Sequence, residues 1–202
     1  MAKNNITASH RLRFPAIALM VLLLWSVNVF ANETVTSDIE ISMFEKLASA
    51  SSESKGRQAE SVIWEYWFNL APTADARDLL DKGRARRETY DYEGAETLFD
   101  QVVELAPEYF EGYNQRAFVR FLRENYSGAL SDLEKTLELY PNHFGALSGM
   151  YHVLRVEGRH DTAMKMLRSA VTLHPWIQER SALPEAMWPD SYRVIHQPGQ
   201  EI

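Results

Sequence analysis

YEGAETLFDQVVELAP, residues 92–107, returns as YSGALSDLEKTLELYP over 126–141 and as HDTAMKMLRSAVTLHP over 160–175. Pro107, Pro141 and Pro175 set a period of 34 residues. Tyr92, Tyr126 and His160 open the three stretches. Ala95, Ala129 and Ala163 follow three residues later, and Phe99, Leu133 and Leu167 four after those. Leu105, Leu139 and Leu173 stand two before each proline. A period of this length predicts stacked helical hairpins, with two helices of about 13 residues and two short turns per unit. The columns have physical reasons. The alanine marks where two helices touch most closely. The large apolar residue four positions on lies one turn along the same face and fills the core. The proline cannot continue a helix, so it ends one unit and opens the next. Within the units, Asp91 with Gly94, Asn125 with Gly128, and Gly158 with Asp161 read as the turns.

These residues resemble the tetratricopeptide family, whose A-x3-F followed by a proline stands here as Ala95, Phe99 and Pro107. Leu133 and Leu167 replace the aromatic in the later copies. The resemblance covers residues 76–175. It implies an all-α fold, a right-handed superhelix of antiparallel helical hairpins whose first helices line a concave groove, and it implies a protein or peptide partner. The first helices match less well. Leu79, Tyr113 and Leu147 take the large aromatic site, Gly83, Ala117 and Tyr151 the glycine site, and Arg86, Arg120 and Leu154 stand where the pattern has tyrosine. Their tilt stays open. The family's carboxylate-gripping subclass is not implied, because the matching places hold Leu80, Arg84, Gln115, Gly145 and Gly149.

Upstream of the repeats, Ile41, Met43, Phe44 and Leu47, then Ala59, Val62, Ile63, Tyr66, Trp67 and Leu70, have roughly helical spacing. Residues 41–72 therefore read as a degenerate hairpin, ended by Pro72. That proline lies one residue off the period, which predicts an insertion or a different packing. Repeat arrays need end caps. Trp64 and Trp67 are expected to cover the front, and residues 176–188 the back, with a loose tail from Pro189 within 176–202. Ile63-Trp64-Glu65-Tyr66-Trp67 is similar to the entry segment of bacterial exported tetratricopeptide proteins, which implies a Gram-negative periplasm.

The first residues point to the same compartment. Lys3, His10, Arg11 and Arg13 precede an apolar run over 14–27, and Val29-Phe30-Ala31 offers a small-x-small site. That order is a secretory signal, predicted here as 1–31, with 32–40 as linker and no membrane insertion after cleavage. The alternative is an uncleaved anchor in the inner membrane. A spanning helix needs about 20 apolar residues, and Ser26 and Asn28 break this run early.

Composition narrows the chemistry. The 202 residues carry a net charge of -7, which argues against nucleic acid as a partner. There is no cysteine, so disulfides, thiol catalysis and zinc–thiolate sites are excluded. No phosphate loop, H-E-x-x-H or G-x-S-x-G motif is present. No cofactor, metal site or catalytic residue is predicted, since none of the six histidines pairs at i, i+4. Asp91 and Glu93 read as capping charges.

On the repeat alignment the inner face of the first helices presents Arg84, Phe118 and His152 at one depth, Arg87, Phe121 and Arg155 at a second, and Leu80, Asn114 and Ser148 at a third. Arg84, Arg87, Asn114, Phe118, Phe121, His152 and Arg155 are thus the candidate contacts for an extended segment with acidic or aromatic side chains. The other reading makes Phe118 and Phe121 core residues and pairs the arginines with neighbouring glutamates. The function expected is a non-enzymatic scaffold binding a segment of an envelope protein. The alternatives are a homo-oligomeric assembly protein of the envelope and, more remotely, a small periplasmic enzyme.

Overall fold

The computed structural model describes residues 38–195, apart from the side chains of Ser191, Val194 and Ile195. The signal-like segment 1–31, the linker to residue 37 and the end of the tail, 196–202, lie outside the described residues. The chain divides into two compact units, one ending at Ser42 and one running on from Met43. A helix over 38–48, α1, opens in the first. The second holds α2 (Glu53–Asn69) and three hairpins: α3 (Ala74–Glu88) with α4 (Tyr92–Leu105), α5 (Phe110–Leu122) with α6 (Tyr126–Leu139), and α7 (Phe144–Val156) with α8 (His160–Leu173). The described residues contain no strand, and the hairpins stack as the right-handed superhelix that the resemblance implies.

Local chemistry sets the helix limits. Asp91 and Asn125 accept hydrogen bonds from the backbone N–H of Gly94 and Gly128, and so cap α4 and α6. Thr73 does the same for α3 through Ala76. Tyr90, Glu124 and Gly158, again one period apart, take φ of 64, 62 and 75° in the turn before each second helix. That left-handed residue lets the chain reverse at once, and two of the three turns accept its cost without glycine. Each hairpin then closes over the residues of the repeat columns. Ala95 and Phe99 are fully buried with Ala76 and Leu80, Ala129 with Ala117 and Ala146, and Ala163 and Leu167 with Tyr151 and Leu154.

The hairpins are also tied by charge. Arg116 of α5 donates to both carboxylate oxygens of the buried Asp132 in α6, at 2.9 and 2.6 Å, and to Asp100 of α4 at 2.8 Å. Arg120 donates to Asp132 at 2.8 Å and to Glu96 of α4 at 2.9 Å. Arg120, where the tetratricopeptide pattern has tyrosine, thus supplies a guanidinium that links three helices. Burial pushes the Glu96 carboxyl up, but hydrogen bonds and charge from Arg120 and Arg123 outweigh it and hold the group below the ordinary range. A carboxylate depressed in the folded state stabilises above its unfolded value, about 4.3. That stability is lost as pH falls through the folded value. The melting temperature should therefore fall as pH drops from about 4.5 towards 3. Glu96→Gln should melt lower near neutrality and show a shallower acid slope by circular dichroism. An unchanged slope would remove Glu96 from this account.

Segment 41–72 is helical where the spacing predicts, but α2 does not sit in front of the first hairpin. It crosses the inner face of the repeats from one end to the other. Its C-terminal turn meets the first hairpin, where Phe68 packs with Ala76 and Leu80, and Tyr109, just before α5, donates from Oη to the carbonyls of Trp67 and Phe68 at 3.0 and 3.2 Å. Its N-terminal turn meets the segment that follows α8, where a Cβ on Gly56 would lie 2.6 Å from the Cβ of Trp176. Trp176 Nε1 donates to the carbonyl of Ala50 at 3.0 Å, and Arg180 reaches Glu53 at 3.0 Å. Trp67 is not an end cap. It stacks on His143 with centroids 4.1 Å apart and packs on Phe110, Tyr140 and Phe144. The back of the array is covered by two turns of 3-10 helix, Gln178–Ala182 and Glu185–Met187. Part of the stretch read as loose is also folded: α9 (Asp190–Ile195) buries Tyr192 against Trp188. Pro189 ends the preceding turns yet leaves room for one more helical turn, because proline is compatible with a helix start.

Candidate functional site

Between α2 and the first helices lies a cavity of about 890 Å³. One wall is a stripe of α2, Glu53, Arg57, Glu60, Trp64 and Phe68, spaced at three or four residues and hence on one helical face. The opposite wall is built from α3, α5 and α7, and the far end from Trp176–Arg180. Two glycines of α7, Gly145 and Gly149, line the cavity where neighbouring side chains come close. A Cβ at Gly145 would lie 2.5 Å from the Trp64 ring, and one at Gly149 2.9 Å from Leu133. Gly145 thus lets α7 touch the α2 wall, and Gly149 lets it pack on α6.

The seven sequence-chosen residues divide. Arg87, Asn114, Phe118, Phe121 and His152 line this cavity. Arg84 does not. Its guanidinium lies 3.8 Å over the Phe68 ring and pairs with Asp81, so it seats α2. Arg155 is exposed and donates to Tyr151 Oη at 3.0 Å, outside the cavity. Phe118 is 47 % exposed, which is too open for a core residue. Phe121 is half-buried against Tyr126 and His152. Asn114 is buried and donates to Glu111 at 3.1 Å. Trp64, Phe68 and Trp176 also line the cavity, and the repeat alignment assigns them no part in it. A signal did exist, since two glycines at i, i+4 inside a helix cost about 1 kcal/mol each relative to alanine and call for a close neighbour.

Most charges in the cavity are already paired. Glu53 is held below the ordinary carboxylate range by the charges of Arg180 and Arg57. Glu179 is held low chiefly by its hydrogen bond to His152, at 2.9 Å. Glu60 receives Trp64 Nε1 at 3.2 Å and lies 3.3 Å from His174 Nε2. Burial pushes its carboxyl up, and the contact with His174 more than offsets this and holds it low. Arg87 differs. It is half-buried, it stands 5.1 Å from the Phe118 ring centroid, and it has no carboxylate within ion-pair distance among the described residues. Burial lowers the pKa of its guanidinium, helped by the charge of Arg84. Its hydrogen bond goes to the neutral Oε1 of Gln115.

Gln115 in turn orients a buried chain of polar groups. Its Nε2 donates to Glu111 at 2.6 Å, and Glu111 lies 2.8 Å from His143 Nε2. His143 Nδ1 accepts the N–H of Ala146 at 2.9 Å and caps α7. A nitrogen that accepts carries no proton, so Nε2 is the protonated one and donates to Glu111. Both side chains are fully buried, so the pair supports Trp67 from beneath and cannot reach a substrate. Among the described residues no group of three or more His, Asp or Glu is placed to hold a metal, and no helix is long and apolar enough to cross a membrane.

No protein-family model matches the chain. Among curated proteins it is similar to a TPR repeat-containing protein of Rhizobium etli, 37% identical over 78 residues, which are 39% of this chain and 38% of that one. It is similar also to tetratricopeptide repeat protein 36 of Xenopus tropicalis, 30% identical over 112 residues, 52% of this chain and 54% of the relative. The chain thus spans about half or less of the curated relatives it matches. Among solved structures, the first TPR of Spaghetti bound to an HSP90 peptide matches with a TM-score of 0.52 at 19% identity, over 60% of this chain and 90% of the other. The Arabidopsis OM64 TPR domain matches at 0.53 and 16%, over 56% and 93%. At these identities the likeness is one of fold.

Proposed function

We propose that this tetratricopeptide chain is an exported, non-enzymatic interaction scaffold of the cell envelope, and that it takes a segment of another envelope protein between α2 and the first helices. The observation that carries the reading is Arg87. It is the cavity's one cation without a carboxylate among the described residues, and it is half-buried beside Phe118. A guest carboxylate there makes a charge-assisted hydrogen bond at a place where water competes poorly. Trp64, Phe68, Phe118 and Phe121 offer the apolar surface for a neighbouring bulky side chain. A partner with an acidic and an aromatic group is what this lining suits. The solved relative that carries an HSP90 peptide supports a peptide as the class of guest. The charged, apolar, small-x-small order of residues 1–31 supports export, with a mature chain from Asn32.

The test is a pull-down from envelope extract with three baits: wild type, Arg87→Glu with Phe118→Ala, and Arg155→Glu as a control outside the cavity. Intact mass of the wild-type bait, purified from the periplasmic fraction, checks the start at Asn32. The expected result is a protein captured by wild type and control and lost from the double variant, with capture weakening as salt rises. Equal capture by all three baits would move the site to another face.

A further inference from the structure

The geometry points to α2 as a permanent wall of the cavity. The guest is then a short acidic–aromatic element gripped between α2 and the first helices, in place of the extended segment expected along an open groove. The inference rests on the cavity being the binding site, and it adds the length of the guest and the part α2 plays.

Three observations carry it. First, the face of α2 turned away from the cavity is core. Ile63 and Trp67 are wholly buried, and Trp67 sits in a ring of aromatic contacts with Trp64, Phe110, Tyr140, His143 and Phe144. An aromatic side chain buries about 150–250 Å², so a guest that displaced α2 would have to replace several such contacts. Second, both ends are pinned by groups far away in sequence. Tyr109 holds the carbonyls of the last turn. Trp176, His174 and Arg180 hold Ala50, Glu60 and Glu53 near the first. Third, the free space is limited. A helix of 17 residues runs about 25 Å, and an extended strand of that length needs about eight residues. The 890 Å³ beside α2 falls in the range of about 300–1,000 Å³ that encloses a single drug-sized ligand. It holds a side chain among Trp64, Phe118 and Phe121, and a carboxylate at Arg87, but not a strand crossing three repeats.

Two probes test this: acetyl-Asp-Phe-amide, and a peptide of about eight residues with Asp-Phe at its centre. Binding is read from protein tryptophan fluorescence, because Trp64 lines the cavity. The chain has no cysteine, so Gly56→Cys with Trp176→Cys makes one disulfide that ties α2 to the far end. Their Cβ positions, 2.6 Å apart on the native backbone, reach the usual spacing of about 3.8 Å with a shift of about 1 Å. The oxidised and reduced forms of this variant should bind both probes with Kd equal within about twofold. The longer probe should gain less than about threefold, and Arg87→Gln should weaken both about tenfold, near the usual worth of a charge-assisted hydrogen bond. Hydrogen exchange of wild type at saturating probe should leave α2 as protected as before, which checks the inference even where the cysteine pair fails to close. Binding that disappears on oxidation, or α2 amides that lose protection with the probe bound, would overturn the fixed wall while leaving the site in place. A wild-type protein that binds neither probe would overturn the site itself, and the wall with it.

Discussion

Ala129→Trp should abolish the cooperative thermal transition followed by circular dichroism at 222 nm. Ala129 has no exposed surface and sits where α6 meets Ala117 of α5 and Ala146 of α7. Three alanines face one another because the helix axes are close, so an indole has nowhere to go. Adding methylenes to a packed core costs about 1–3 kcal/mol, and a whole indole at a three-helix contact exceeds that range. Ala129→Gly is the control. It removes bulk and should cost about 1 kcal/mol through helix propensity, or about 2–4 °C in a domain of this size. A tryptophan variant that melts within a few degrees of wild type would show that the hairpins can separate without loss. The repeat columns would then lack the packing meaning given to them.

Trp67→Ala should destabilise the protein by about 3–5 kcal/mol, the range for emptying a large aromatic site in a core, and lower the melting temperature by roughly 10 °C. Trp67 is fully buried. It is the lid on the His143–Glu111 pair, with the two rings stacked at 4.1 Å. Its removal opens a cavity at the centre of the inner face and loosens α2 along its length. Trp67→Phe should cost much less. The indole Nε1 is buried without a hydrogen-bond partner among the described residues, so phenylalanine loses area but also sheds an unsatisfied donor. Urea denaturation of the three proteins checks the ranking. A loss under about 1 kcal/mol for Trp67→Ala would mean that α2 is a loosely held flap, and would count against its role as a wall.

The two substitutions divide the protein along the line between what its sequence and its tertiary structure decide. Ala129 could be chosen from the sequence alone. Its column repeats every 34 residues, and helix geometry turns spacing into a face without knowledge of any partner. The second helices, their caps at Asp91 and Asn125, and the ends at Pro107, Pro141 and Pro175 follow from the same local rules. So does the depth of Arg87, Asn114, Phe118, Phe121 and His152, because equal positions in equal units lie on one surface. Arg84 and Arg155 occupy equally good columns, yet one seats α2 and the other stands outside the cavity. Their fate depends on neighbours from outside the repeat.

Where α2 goes is decided only in three dimensions. Segment 53–69 shows helical spacing, but an amphipathic stripe says which face is buried and not against what. Two helices of a hairpin must pack on each other because their linking turn is short. The short turns on either side of α2 do not decide its place, because its contacts reach Tyr109 and His143, and Trp176, its neighbour at the far end, is hydrogen-bonded to Ala50 across 126 residues. Contacts at that range leave no period in the chain. They rest on shape: Gly56 and Gly145 clear the way for Trp176 and Trp64, and an inner face too apolar to stand open draws the helix in. Periodicity thus determined the repeats, because their contacts are local and alike. The site, with α2 as its second wall, had to wait for packing between segments that share no pattern.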